Sequence, residues 1–139
     1  MDGAPSIQYA ALPWRLNPLG QIEILLVTSR GTGRWVIPKG WPIKGKSASA
    51  SAEQEAWEEA GVVGRIAPEP LGAYAYDKVL SARRSKSVNV EVFPLEVTSE
   101  KTAWPEKGER KRLWLPPRQA AELVDEPALR AAILGFRPR

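Results

Sequence analysis

A chain of 139 residues is about the length of one domain, and it can bury roughly two-thirds of its unfolded surface without staples. Its 43% hydrophobic and 26% charged residues fit an ordinary globular protein, and no apolar run approaches the roughly 20 residues of a membrane span. The absence of cysteine and histidine (Cys 0, His 0) excludes disulfides, thiolate metal sites and imidazole chemistry, so a metal must be held by oxygen and a general base must be a carboxylate, lysine or tyrosine.

The N-terminal stretch Met1 to Ile7 lacks the basic-then-apolar pattern of a secretory signal, and a cytoplasmic location is the expectation. A net charge of +4 suits polyanionic partners, from small polyphosphates to nucleic acid. With no internal repeat and no long linker, residues 1–139 read as a single domain.

Along the chain, Ser6 to Leu16 and Gln21 to Thr28 read as strands joined by the turn Asn17-Pro18-Leu19-Gly20. Pro13 removes a backbone donor from the first strand, which predicts an edge strand or a bulge. A second break, Arg30-Gly31-Thr32-Gly33, leads into the short strand Trp35-Val36-Ile37, and Pro38-Lys39-Gly40-Trp41-Pro42 reads as a loop. Ser47 to Ala60 is the best helix candidate, with Ser47 as its cap, abundant alanine and Gly61 as its stop. Strand signals return in Leu71 to Val79 and in Ser87 to Val97, where Val88, Val90 and Val92 alternate with Asn89 and Glu91. Arg112 to Leu115 is a last short strand, and Pro116-Pro117 opens a helical region that Pro127 divides. The order predicts a mixed sheet with helices on its faces.

The informative side chains lie on the predicted helix. Glu55, Glu58 and Glu59 stand at i, i+3 and i+4, so they converge on one face. Three carboxylates held that close repel unless a cation sits among them, and magnesium prefers such oxygen ligands. The spacing by itself favours a solvated acidic helix face paired with lysines.

From Gly40 to Val62 the chain reads GWPIKGKSASASAEQEAWEEAGV. This resembles the Nudix box, with Gly40, Glu55, Ala56, Glu58, Glu59, Gly61 and Val62 on the matching positions and the spacing intact. Trp35-Val36-Ile37-Pro38-Lys39-Gly40 resembles the strand and loop leading into that box, and Trp114 with the alanine-containing helix after it resembles the family's usual end. Two positions depart: Lys46 stands where the family has its first glutamate, and Gln54 where it has an arginine that orients a metal-binding glutamate.

The resemblance implies a Nudix-type α/β/α sandwich with a mixed β-sheet and a loop-helix-loop metal site. Glu55, Glu58 and Glu59 would hold Mg²⁺ or Mn²⁺ with the Gly40 carbonyl, and a diphosphate linkage in a phosphorylated small molecule would be hydrolysed. Glu59 or Glu58 would accept the water's proton. Glu106 and Glu109, in Trp104-Pro105-Glu106-Lys107-Gly108-Glu109-Arg110, are outside candidates, because the loop lies where such enzymes often supply a further acid.

Substrate phosphates need cations, and Arg15, Arg30, Lys44 and Lys78 recur around the expected site alongside Arg34, Lys39, Lys46, Arg83, Arg84 and Lys86. The last six are the phosphate-binding candidates, with Arg83-Arg84-Ser85-Lys86 the densest cluster. Trp35, Trp41, Tyr74 and Tyr76 are candidates for stacking on a base. The Trp-Val-Ile-Pro-Lys-Gly and Trp-Pro-Glu segments look most like the diphosphoinositol polyphosphate and diadenosine polyphosphate hydrolases, with a lean toward the inositol type. Many members of the family pair, so a homodimer is compatible; no membrane partner is expected.

Two other readings compete. One is a binding or regulatory module that keeps the fold without turnover, motivated by Lys46 and Gln54. The other is a basic nucleic-acid-binding module built on Arg110-Lys111-Arg112-Leu113-Trp114, which leaves the glutamate spacing unexplained, so nucleic acid is not the expected partner.

Overall fold

Local chemistry closes the first hairpin: Asn17 Oδ1 accepts from the N–H groups of Leu19 at 2.9 Å and Gln21 at 3.0 Å. The computed structural model describes residues 6–138, so residues 1–5 and 139 of the expected domain lie outside the described residues. The hairpin joins β1 (Ser6–Leu16) to β2 (Ile22–Thr28). Then come β3 (Trp35–Val36), β4 (Lys39–Gly40), α1 (Ala48–Ala60), β5 (Val62–Ile66), β6 (Gly72–Ser81) and β7 (Arg84–Glu100). The chain ends with β8 (Arg112–Leu115), α2 (Pro117–Leu123) and α3 (Pro127–Gly135). Among the described residues no helix is long and apolar enough to cross a membrane.

The strands form one sheet in the order β3-β2-β1-β7-β5, with β4 on β1, β6 on β7 and β8 on β2. β1 and β7 run parallel, from Ser6 opposite Val88 to Trp14 opposite Glu96, while the other pairs are antiparallel; the sheet is mixed, as expected. Alternation sends Ala10, Leu12, Ile24, Leu26, Val88, Val90 and Val92 to one face, where α2 and α3 pack Ala120, Leu129, Ile133 and Phe136. Ala11, Leu25, Val27, Phe93 and Leu95 go to the other face, under Ala52, Ala56 and Ala60 of α1. The result is the α/β/α sandwich.

Three features correct the sequence reading. β1 is a central strand, not an edge. Pro13 is tolerated there because β1 changes partner on one side: Tyr9 and Ala10 pair with β4, Trp14 to Leu16 pair with β2, and Pro13 falls in the gap between them. Lys39 and Gly40 are not loop but a two-residue strand against β1. β5 was not anticipated: its register on β7 shifts between Val63 and Gly64, and Gly64 lies against the Glu96 carbonyl, so no regular alternation marks it.

Candidate active site on the C-terminal half of α1

The helix is fixed at both ends by its own sequence. The Ser47 hydroxyl accepts from the Ala50 N–H at 3.2 Å, and Gly61 takes a left-handed φ of 68° while its N–H reaches the Trp57 carbonyl. A side chain at Gly61 would also collide with the Trp104 ring. Two further contacts satisfy the last turn. The Glu106 N–H donates to the Glu58 carbonyl at 3.0 Å, and Arg112 Nη1 donates to the Ala60 carbonyl at 2.7 Å. The acidic loop, residues 101–111, is therefore pinned against α1.

Alanines at 52, 56 and 60 let α1 settle onto the sheet with no exposure at all. The same approach carries Glu59 inward, leaving it 6% exposed, and sets Glu55 against Gly40 of β4. A Cβ at Gly40 would overlap the Glu55 carboxylate, so glycine is required there by close approach. Glu58, half-buried, accepts from Gln54 Nε2 at 2.7 Å. Gln54 thus holds Glu58 by a hydrogen bond that brings no charge.

The electrostatics are those of a site short of positive charge. Burial pushes Glu59 up to about 8; the neighbouring Glu55 carboxylate adds to the rise, and Arg110 opposes it. Arg110 Nη2 stands 3.7 Å from Glu59 Oε2, too far for a strong hydrogen bond, and burial wins. Glu55 is raised as well, by burial first and then by Glu58 and Glu106. The Glu55 and Glu59 carboxylates lie within hydrogen-bond reach of each other, an interaction that opposes the rise at Glu55 and adds to it at Glu59. Burial lowers Lys39 to about 8, with Arg34 and Arg110 adding to the fall against Glu59 and Glu126.

Among the described residues no three acidic side chains are gathered tightly enough to ligate one ion. Glu58 turns to Gln54 and Glu59 faces Arg110, while Glu55 lies against Gly40. The donor set nevertheless fits a hard divalent cation. It is all oxygen, two of its carboxylates are destabilised as anions, and the Gly40 backbone lies against one of them with no side chain intervening.

The remaining candidates are placed as follows. Glu106 accepts from Arg110 Nε at 2.9 Å, on the site side of its loop, whereas Glu109 is held by Arg30 Nη1 at 2.8 Å and is exposed. Arg34 pairs with Glu126 at 3.0 Å and Asp125 at 3.2 Å, tying β3 to the start of α3. Lys39 Nζ lies 5.0 Å over the Tyr76 ring, whose hydroxyl donates to Gln8 Oε1 at 2.8 Å. Lys86 Nζ lies 5.9 Å over Trp41, immediately after Gly40. Arg83 and Arg84 sit exposed at the tip of the β6–β7 hairpin. Lys46 lines a separate cleft of about 420 Å³ on the outer side of α1, with Glu53, Gln54, Trp57 and Lys101.

Two partners were not singled out from sequence. Arg110 could have been noticed from its i, i+4 spacing to Glu106. Glu126, whose Oε1 is buried without a donor, lies next to the helix-opening Pro127 but carries no local signal of its tie to Arg34.

Comparison with known proteins adds three findings. The model of the NUDIX domain family matches residues 8–134. Nudix hydrolase 12, mitochondrial, of Arabidopsis thaliana is 36% identical over 128 residues, covering 85% of this chain and 60% of that protein. Nudix hydrolase 13, mitochondrial, of the same plant is 32% identical over 128 residues, covering 84% and 60%. The chain thus spans about 60% of the length of these curated relatives. Among solved structures, the C. elegans Ap4A hydrolase binary complex superposes with a TM-score of 0.67 at 20% identity, over 93% of each chain. The NUDIX domain of Shewanella oneidensis NrtR complexed with ADP ribose gives 0.67 at 17% identity, over 93% and 86%. At those identities the structural likeness is one of fold.

Proposed function

Since the chain belongs to the NUDIX domain family, we propose that it is a divalent-metal-dependent hydrolase of a diphosphate linkage in a polyphosphorylated small molecule. The observation that carries the reading is the Glu55–Glu59 pair on α1, one turn apart, with Glu59 buried and Glu55 half-buried against a glycine that leaves the backbone bare. Glu55, Glu58 and Glu59, with the Gly40 carbonyl, are the residues that would hold Mg²⁺ or Mn²⁺. Bound there, such an ion supplies charge neutralisation at phosphoryl oxygens and acidifies a water.

The chain's own residues do the rest. Glu58 or Glu59 accepts the water's proton, and the Gln54 hydrogen bond restricts Glu58 to one orientation. Glu106 is the better of the two loop acids, because its backbone is fixed on Glu58 and its side chain on Arg110. Lys39 of β4, over the Tyr76 ring, and Lys86, over the Trp41 ring that follows Gly40, are the phosphate partners. The work is positioning and charge compensation, which dominates phosphoryl transfer.

The substrate is an inositol pyrophosphate, a dinucleoside polyphosphate or another nucleoside diphosphate derivative. The net charge of +4 supports the class, and two fold neighbours are described with Ap4A and ADP ribose. Lys46 and Gln54 had motivated a module without turnover; the 2.7 Å bond from Gln54 to Glu58 favours the active reading. Incubation with Mg²⁺ or Mn²⁺ and a panel of these three substrate types tests it. Release of phosphate or nucleotide that stops on chelation is expected. Metal binding with no turnover on any member would instead favour the binding module.

A further inference from the structure

Arg110 faces a carboxylate of each acidic element, Glu59 on α1 and Glu106 in the loop. Its side chain is 10% exposed, and every hydrogen-bonding face is directed at a different element. Nε donates to Glu106 Oε1 in the loop at 2.9 Å, Nη1 donates to the Thr28 carbonyl at the end of β2 at 3.0 Å, and Nη2 faces Glu59 Oε2 on α1 at 3.7 Å. The two good bonds fix the guanidinium plane. The third contact is longer, lacks hydrogen-bond geometry, and points at a carboxylate that is only 6% exposed. Arg30 reinforces the loop from outside, 3.9 Å from Glu106 and 2.8 Å from Glu109.

A buried arginine held by two strong partners and aimed at a third has a defined consequence. It cannot follow Glu59 if that carboxylate turns toward another cation, because Thr28 and Glu106 hold it back. It remains nearby as a like charge to any incoming ion. We infer that Arg110 is a resident counter-charge that competes with a divalent cation for Glu59 while tethering Glu106 beside it, and so sets how tightly the site takes metal. The inference rests on the metal-site reading above. It makes Arg110 a positioning residue, since it acts through Glu59 and Glu106.

The test is calorimetric titration of Mn²⁺ and Mg²⁺ into the full chain, as wild type, Arg110→Met and Arg110→Lys. Removing a unit positive charge this close in a partly buried site makes Arg110→Met bind metal tighter, on the order of tenfold. Arg110→Lys, which keeps the charge, stays near wild type. A purely structural role would move affinity the other way, so Arg110→Met binding that is equal or weaker overturns the inference. Should Arg110→Met fail to fold, ¹⁵N-arginine spectra of the wild type decide. Saturating Mg²⁺ shifts the Arg110 Nη signals, while the Nε–H bonded to Glu106 stays protected; Nη signals indifferent to bound metal overturn the inference. Wild type that binds neither ion sinks the metal reading itself, whereas binding indifferent to Arg110 removes only this inference.

Discussion

Two charged clusters stand out in this chain, the glutamates of α1 and the arginines at the tip of the β6–β7 hairpin, and the fold treats them in opposite ways. Glu55 and Glu59 are drawn under the helix by three buried alanines, joined to each other and faced by a fixed arginine. Arg83 and Arg84 extend into solvent at the end of a two-stranded ribbon. Equal density of charge in the sequence thus becomes stored electrostatic tension in one place and a screened surface potential in the other. What separates them is burial, since interaction between charges grows as water is removed.

The largest expected effect on this contrast comes from Glu59→Gln. It removes the ionisable oxygen at the centre of the buried cluster and lowers kcat by about a hundredfold or more under saturating Mg²⁺, checked by steady-state kinetics. Gly40→Ala comes next. The new methyl group meets the Glu55 carboxylate, so the protein either displaces that side chain or strains β4. Metal affinity falls by about tenfold and the melting temperature drops, read by titration and by thermal unfolding.

The buried cluster also predicts a pH signature. The Glu59 pKa, raised to about 8, exceeds its unfolded value of about 4.3, so the folded chain holds the extra proton between these limits. Its contribution to stability is full below the lower limit and is lost as pH rises toward the upper one. Metal-free wild type therefore loses stability across that window relative to Glu59→Gln, and added Mg²⁺, by displacing the proton, stabilises more as pH rises. A pair of melting-temperature profiles, with and without metal, reads both. Lys39, lowered to about 8, acts in the next window: the unfolded chain binds more protons up to about 10.4, so that contribution recovers as pH rises further.

The smallest effect belongs to the hairpin tip. Arg83→Ser with Arg84→Ser leaves kcat unchanged and raises KM about twofold to threefold at low salt, a difference that vanishes as salt screens the tip. A large kcat loss from these exposed residues would erase the contrast between the two clusters.

What could be read in advance follows the range of the interactions. Ser47, the alanines and Gly61 fix α1 through contacts within a few residues, so its limits and its glutamates were legible. The Asn17 turn is local in the same way. Pro13 misled because its tolerance depends on β4 and β2, partners far along the chain, dividing one side of β1 between them. β5 escaped because its regularity is broken by the bulge at Gly64. At the site, the identity of the acidic residues was local, but their state was not: Arg110 meets Glu59 only after β8 folds back on β2, and Arg34 meets Glu126 across most of the chain.

The most direct test of the account is a crystal soaked in Mn²⁺ and examined by anomalous scattering. The account predicts a strong peak among the carboxylates of Glu55 and Glu59 and the Gly40 carbonyl, with Glu59 drawn away from Arg110. Excess Mn²⁺ that leaves no peak there, with Glu59 still facing Arg110, would contradict it.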